Sequence, residues 1–396
     1  MTKIIAVKLK PSAERLVKKG HPWVFSDSIQ KINFDGNTGD IVVLFDHRKN
    51  KPYAVGLFDI DSPIRIKVIH HNSGVKVNQD FFELKINKAF VIRKPLLGTN
   101  TNAYRFIFGE NDGFPGMIID VYNNVGVLKL YSAIWFPYLE MIIPKVVELS
   151  RVGALVLRLS RNLQNQTTRQ EGEVLFGELK SSEVIFKEYG VQFKVDVLLG
   201  HKTGFFLDHR ANRHKIGQLA KGKTVLDVFS YAGGFSVHAL VGGAKEVTSL
   251  DFSKQALELA LENSKLNEHI GKHTVIDGDA FLLLEEMKNQ GKEFDIVVID
   301  PPSFANSQRQ RSVAKKKYAQ LAELGIGLTK NEGILLLASC SSRITADELR
   351  QIHVEEFHRL GVVNCELLEF MQHDIDHPIG FEEGVYLKSF YYRVFK

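Results

Sequence analysis

The feature that most constrains this chain is a change of rhythm near residue 188. From there on, apolar runs alternate with helical segments: KTVLDVFS then FSVHALVGG, EVTSLDFS then KQALELALENSKLN, HTVIDGDA then FLLLEEMKNQ, FDIVVIDPPSF then VAKKKYAQLAELGIGLTK, and GILLLASCS then TADELRQIHVEEFHRLG. Continuous apolar strands are the mark of strands buried on both faces. Repeated βα units of this kind predict an α/β domain over 188–396, a parallel sheet covered by helices on both sides.

Two smaller modules precede it. In residues 1–72, IVVLFD, YAVGLFD and IRIKVIH are short strands broken by Gly, Asp, Asn and Pro, so this part reads as mostly β. Ser12 to Lys19 is a short helix candidate with Ser12 as its N-cap. Residues 73–187 mix types. VNQDFFELKINKAFVIRKPLL places Phe81, Leu84, Ile86 and Phe90 at helical spacing; strands around a turn-rich loop, a second helix (WFPYLEMIIPKVVEL) and the strand ALVLRLS follow. This is a small α+β module.

Composition excludes several classes. No run of about 18 apolar residues is present, so no membrane span is expected. The N-terminal segment lacks the apolar core of a signal peptide, and two cysteines, Cys340 and Cys365, make no disulfide framework; a cytoplasmic location is the expectation. The net charge of +5 permits a nucleic-acid partner without arguing for one. No metal is expected.

Ligands of open α/β sheets bind at the carboxyl ends of the strands. The polar residues of the C-terminal half cluster there. The first strand runs through Asp227 into Phe229, Ser230, Tyr231, Ala232, Gly233 and Gly234, whose glycines let the backbone turn tightly against a ligand. The second ends in Asp251-Phe252, where a carboxylate can accept both hydrogen bonds of a ribose diol. The third ends in Gly278-Asp279-Ala280, placed for an adenine, and the fourth in Asp300-Pro301-Pro302-Ser303-Phe304. The pattern is not GxGxxG, which argues against a dinucleotide pyrophosphate. Each piece alone is commonly a turn or an N-cap; the ordered series is much more specific.

In that order, these residues resemble class I methyltransferases, and more closely the RlmI-like ribosomal RNA large-subunit methyltransferases. The segments that carry the resemblance are HPWVFSDSI (21–29), ENDGFPGMIID (110–120), GHKTGFFLDHR (200–210), VLDVFSYAGGFSVHAL (225–240), DPPSF (300–304), SCS (339–341) and HPIGFEEGVYLK (377–388), spread over nearly the whole chain. The resemblance implies an N-terminal PUA domain, a small central α+β domain and a Rossmann-like methyltransferase domain, S-adenosyl-L-methionine as cofactor, and 23S rRNA cytosine carbon 5 as the site modified. Carried over by position, it implies a cofactor pocket of Phe206, Asp208 and Arg210, then Asp227, Phe229, Tyr231, Ala232, Gly233 and Gly234. Asp251 with Phe252 would take the ribose, Asp279 and Ala280 the adenine, and Asp300 with Pro301 the methionyl end.

Cytosine carbon 5 is a poor nucleophile, and adding a thiolate at carbon 6 activates it. This chemistry predicts a cysteine beside the cofactor. Cys340 fits, because it ends the strand following the one that ends in Asp300. Cys365 reads as a small buried hydrophobe. Asp300 is the first candidate for the base that removes the carbon-5 proton; His377 and Glu382 are weaker candidates and read as structural. Asp-Pro-Pro-aromatic also marks enzymes that methylate exocyclic amines of adenine or guanine without a cysteine, so Pro302 and Phe304 leave that chemistry open. A non-catalytic RNA-binding or assembly factor on the same fold is the third reading.

Basic and aromatic residues give the RNA candidates. Three basic stretches stand out: Lys8 to Lys19, followed by Trp23; Arg158, Arg161 and Arg169; and Arg309, Arg311, Lys315, Lys316 and Lys317, the last being nearest the reacting centre in sequence. A homodimer is compatible with the sequence.

Overall fold

The computed structural model describes residues 3–305, 307–361 and 364–396. The chain divides into two compact units. One comprises Met1–Phe186, Val195–Leu207 and Ile375–Gly384; the other comprises Lys187–Lys194, Asp208–Asp374 and Val385–Lys396. Among the described residues, no helix is long and apolar enough to cross a membrane.

The first unit holds two sheets. The N-terminal one has the order 23–25, 64–71, 52–58, 41–45, 4–9, 29–32; Ile4–Leu9 runs parallel to Ile41–Phe45 and every other pair is antiparallel. The short helix is Pro11–Lys18, and its N-cap is Lys10, not Ser12. Proline explains the shift: Pro11 has a fixed φ and no N–H, which suits the first helical position.

The second sheet, order 174–177, 154–159, 125–130, 117–122, 103–108, carries the helices Gln79–Arg93 and Leu139–Ser150. The Asn78 side chain caps the first of these by accepting from the Phe81 N–H. Its buried stripe runs through Phe82, Ile86, Ala89 and Arg93, whereas Leu84, expected on the apolar face, is exposed. Leu84 is two residues from both Phe82 and Ile86, so it points to the opposite side of the helix. Val55, Leu57 and Ile69 from the N-terminal sheet share one apolar core with Phe106, Trp135 and Leu157, which makes the two modules a single unit. Two buried ion pairs, Arg93–Asp112 at 2.6 Å and Arg105–Asp120 at 2.8 Å, brace it, and Arg93 and Arg105 also bond the carbonyl and carboxylate of Asp376. Arg158, expected as an RNA contact, is spent internally on Glu171 and the Val197 carbonyl.

The second unit is built on a sheet whose strands are β1 (Thr224–Val228), β2 (Glu246–Asp251), β3 (Lys272–Asp277), β4 (Phe294–Ile299), β5 (Thr329–Ser339), β6 (Asn364–Met371) and β7 (Lys388–Phe395). The helices are α1 (Arg210–Leu219), α2 (Gly234–Val241), α3 (Lys254–Lys265), α4 (Ala280–Asn289), α5 (Arg311–Leu328) and α6 (Ala346–Arg359). Among the described residues the strand order is β3-β2-β1-β4-β5-β7-β6. The first five strands are parallel as expected, but β7 lies antiparallel between β5 and β6, so the sheet is mixed. The C-terminal strand enters by an irregular connection rather than a βα crossover, and antiparallel strands at the side of a largely parallel sheet are common. One core packs Leu226, Val297 and Leu335 against α5 and α6, and a second packs Val225, Val247 and Ile296 against α1 and α2, so both faces are covered.

Candidate active site

The carboxyl ends of β1 to β5 gather the expected residues. After β1 the backbone turns through three positive φ values: Phe229 at 62°, Tyr231 at 47° and Gly233 at 76°. For Phe229 and Tyr231 this conformation carries strain, which persists only where surrounding contacts hold it. Those contacts are visible. The Tyr231 N–H donates to Asp251 Oδ2 at 2.8 Å, and the Ser230 N–H to the Leu250 carbonyl. A side chain at Gly233 would sit 2.8 Å from the Ala260 Cβ, so helix α3 closes against the loop there.

Asp227 is fully buried at the end of β1. Its Oδ2 accepts from the Ser236 N–H and hydroxyl, and that hydroxyl continues to Ser249 and from there to His273. Burial raises its carboxyl to about 7; the Ser236 bonds oppose this, while the charges of Asp300 and Asp251 add to it. Asp227 Oδ1 and Ser230 Oγ are buried with no hydrogen-bond partner among the described residues. Buried polar atoms are ordinarily paired. Two orphans beside a tight glycine turn therefore fit a polar ligand held at this strand end.

The flanking residues have internal roles as well. The Asp251 carboxylate accepts from the backbone N–H groups of Tyr231 and Ser253, which leaves outward lone pairs for a diol. Phe252 is 81% exposed. Asp279 is the N-cap of α4, accepting from the Leu282 N–H at 3.1 Å, with Ala280 buried behind it. Asp208 accepts from the Tyr386 hydroxyl at 2.8 Å, and fully buried Arg210 pairs with Asp374 at 3.1 Å. Phe206 falls in the first unit, where Lys202 lies over its ring.

Asp300 and Cys340 lie at the heads of neighbouring strands. Strands β4 and β5 pair in register up to Ile299 opposite Leu337, and the Cys340 thiol points at the Pro301 carbonyl at 3.8 Å. That carbonyl, expected to be free for an exocyclic amine, thus faces the thiol. Asp300 has a partner that sequence reasoning missed: His209 Nε2 is 3.2 Å from its Oδ2. Burial presses the imidazole pKa down, but the nearby Asp300 carboxylate, with Asp208 adding, leaves it raised overall. The signal was available, since His209 lies inside GHKTGFFLDHR between the two residues that were named.

Beyond this cluster, Phe304 is half-buried against Tyr318 with Lys317 4.9 Å above its ring. Lys315 instead pairs with Glu348 at 2.8 Å, and Lys316 is exposed. Trp23 donates to Glu110 and packs edge-on against His21 and Phe381, all in the first unit. His377 is buried there against Phe108 and Asp376, a structural placement. Cys365 lies on β6, where burial lifts its thiol to about 12. Among the described residues, no cluster of His, Cys, Asp and Glu could hold a metal.

This fold and this series of strand-end residues define a class I S-adenosylmethionine-dependent methyltransferase. A family model described as an S-adenosylmethionine-dependent methyltransferase matches residues 154–380, and one for a PUA-like domain matches 7–71. The chain is 37% identical over 394 residues to a ribosomal RNA large subunit methyltransferase of Deinococcus radiodurans, covering 97% of this chain and 96% of that protein. It is 33% identical to ribosomal RNA large subunit methyltransferase I of Aliivibrio fischeri, with 98% and 99% covered, and 35% identical to that of Tolumonas auensis, with 97% and 98% covered. The chain belongs to this ribosomal RNA large subunit methyltransferase I family, and S-adenosylmethionine is its cofactor. The fold itself resembles that of SMU.776, a candidate methyltransferase solved with SAH, at a TM-score of 0.83 and 24% identity over 100% of both chains.

Proposed function

We propose that this protein methylates carbon 5 of a cytosine in large-subunit (23S) ribosomal RNA, in the cytoplasm, through a covalent adduct with Cys340. The observation that carries the chemistry is the Cys340 thiol at the head of β5, 3.8 Å from the Pro301 carbonyl and next to Asp300. The RNA class comes from the names of the relatives. Residues 1–72 would bind RNA as a PUA-like domain, 73–187 would form the central domain, and 188–396 the catalytic domain.

The residues divide the work as follows. Asp251 and Phe252 take the ribose and Asp279 with Ala280 the adenine. The loop from Phe229 to Gly234, with Asp227, Asp208 and Arg210, shapes the rest of the cofactor pocket. Bound S-adenosylmethionine supplies an electrophilic methyl group on a sulfonium. Cys340, as thiolate, adds to carbon 6 of the base and pushes electron density onto carbon 5. Once carbon 5 carries both methyl and proton, Asp300 takes the proton, the 5,6 double bond re-forms and the thiolate leaves. His209, when protonated, holds Asp300 as the carboxylate. Pro302, Phe304 and Lys317 would grip the flipped base and its phosphates.

The test is Cys340→Ala with nucleoside mass spectrometry of the RNA product. Loss of 5-methylcytidine formation, with a denaturant-resistant adduct between the parent enzyme and 5-fluorocytidine RNA, is expected. Near-normal turnover of Cys340→Ala would overturn the thiolate mechanism and favour methylation of an exocyclic amine at the Asp300-Pro301-Pro302-Ser303-Phe304 loop.

A further inference from the structure

We propose that Lys388 is the positioning residue that holds Cys340 in its thiolate form. The inference rests on the reading of Cys340 as nucleophile, and it concerns a residue on a different strand. Lys388 opens β7, and its Cα is the register partner of Ser339, the residue before Cys340. Its side chain is 1% exposed. The ammonium donates to the carbonyls of Ser341 and, at 2.8 Å, Ile344, which belong to the turn that follows Cys340. The lysine thus grips the backbone on the far side of the cysteine while its own backbone is paired with the near side.

A buried ammonium ordinarily lies against a carboxylate. Among the described residues none is within ion-pairing distance of Lys388. The charged groups around it are few. Glu348 on α6 is the acid that acts on it, but that carboxylate is already bound by Arg311 and Lys315. Tyr318 on α5 bonds Ser339 and feels the charges of both Cys340 and Asp300. Burial lowers the lysine to about 8, and the Cys340 charge, ahead of Glu348, opposes that fall. The ammonium is thus held in the turn that carries Cys340, and the coupling is reciprocal: a buried cation near a thiol favours the anion and lowers its pKa.

The proposal separates two jobs. The two carbonyls fix where the cation sits, and the cation sets how much of Cys340 is nucleophilic near neutral pH. Arginine could do both, whereas methionine could fill the space and do neither.

The test is the pH dependence of iodoacetamide alkylation of Cys340 in the full-length protein, in a Cys365→Ala background so that one thiol reports. A Cys340→Ser control identifies the signal. In the parent, the rate should inflect clearly below the ordinary thiol value of about 8.5. Lys388→Met should raise that inflection by about one unit or more and slow alkylation at pH 7 about tenfold, the change in thiolate fraction for one unit; Lys388→Arg should restore the parent profile. A parent inflection at or above about 8.5 would overturn the proposal even if Lys388→Met fails to fold, and so would a folded Lys388→Met with the parent profile. The reading of Cys340 as nucleophile fails separately, by retained turnover in Cys340→Ala, whatever the alkylation profile shows.

Discussion

Buried His209 pairs with the partly exposed Asp300, Nε2 to Oδ2 at 3.2 Å, joining the start of α1 to the loop after β4. The imidazole pKa is raised, since the pull of Asp300 exceeds the opposing effect of burial. A raised folded value means that the pair stabilises fully below the unfolded histidine value of about 6.5 and is lost as pH rises through the folded value. His209→Asn should therefore remove a fall in melting temperature that the parent shows as pH rises above about 6.5. It should also lower kcat about tenfold to a hundredfold, in the range expected for loss of a group that orients an acid–base residue. Melting curves from pH 5.5 to 8.5, with single-turnover methylation at each pH, check both. Unchanged kcat would leave His209 with no part in setting Asp300.

Asp251 has a structural role beside the ligand role proposed for it, because it bonds the N–H groups of Tyr231 and Ser253. Asp251→Ala should weaken S-adenosylmethionine binding by well over tenfold in calorimetry, since it removes the diol acceptor and releases the strained Tyr231 turn together. Asp251→Asn keeps one acceptor oxygen for the turn but cannot accept twice from a diol, so its affinity should fall between parent and alanine variant. Equal affinity in all three would remove Asp251 from the cofactor site.

The parallel βα core was legible because continuous apolar strands and strand-end carboxylates leave few alternatives, and Asp227, Asp251, Asp279 and Asp300 each lie at or near the carboxyl end of one of the first four strands. The antiparallel β7 was not. KSFYYRVF is an apolar run like any other, and strand direction depends on a connection whose geometry the residues do not spell out. Pairing was the other blind spot. Lys315 and Lys317 look alike in sequence, yet one is bound to Glu348 and the other lies over Phe304. Nor does the sequence show that His209 faces Asp300, 91 residues away, or that Lys388 reaches the turn after Cys340.

Asp227 gives a stability signature opposite to that of a surface carboxylate. Its folded value of about 7 lies above the unfolded value of about 3.9, so the folded state holds the proton more tightly. Stability is then greatest below the unfolded value and falls as pH climbs from about 4 to about 7. Asp227→Asn keeps an oxygen to accept from Ser236 but never ionises. It should flatten that part of the melting-temperature profile and melt higher than the parent at pH 7.5, while binding S-adenosylmethionine more weakly. A parent profile that rises from pH 4 to 7 and an asparagine profile parallel to it would contradict the burial of this carboxyl as a charged group.

Lys317 and Lys315 should separate in RNA binding although they are two residues apart on α5. Lys317 is exposed, and its ammonium sits over Phe304, at the mouth of the Asp300 loop. Lys315 is half-buried and neutralised by Glu348, which also binds Arg311. A phosphate contact from Lys315 would first have to break that pair, whereas Lys317 can meet a phosphate while its stem stays packed on the aromatic ring. Lys317→Ala should therefore weaken binding of a 23S fragment severalfold and reduce the slope of log K against log salt by about 1. Lys315→Ala should change both much less. Binding isotherms at four salt concentrations decide it: equal losses for the two variants would mean that the whole basic run acts as one diffuse field, and the specific place given to Lys317 over Phe304 would fall.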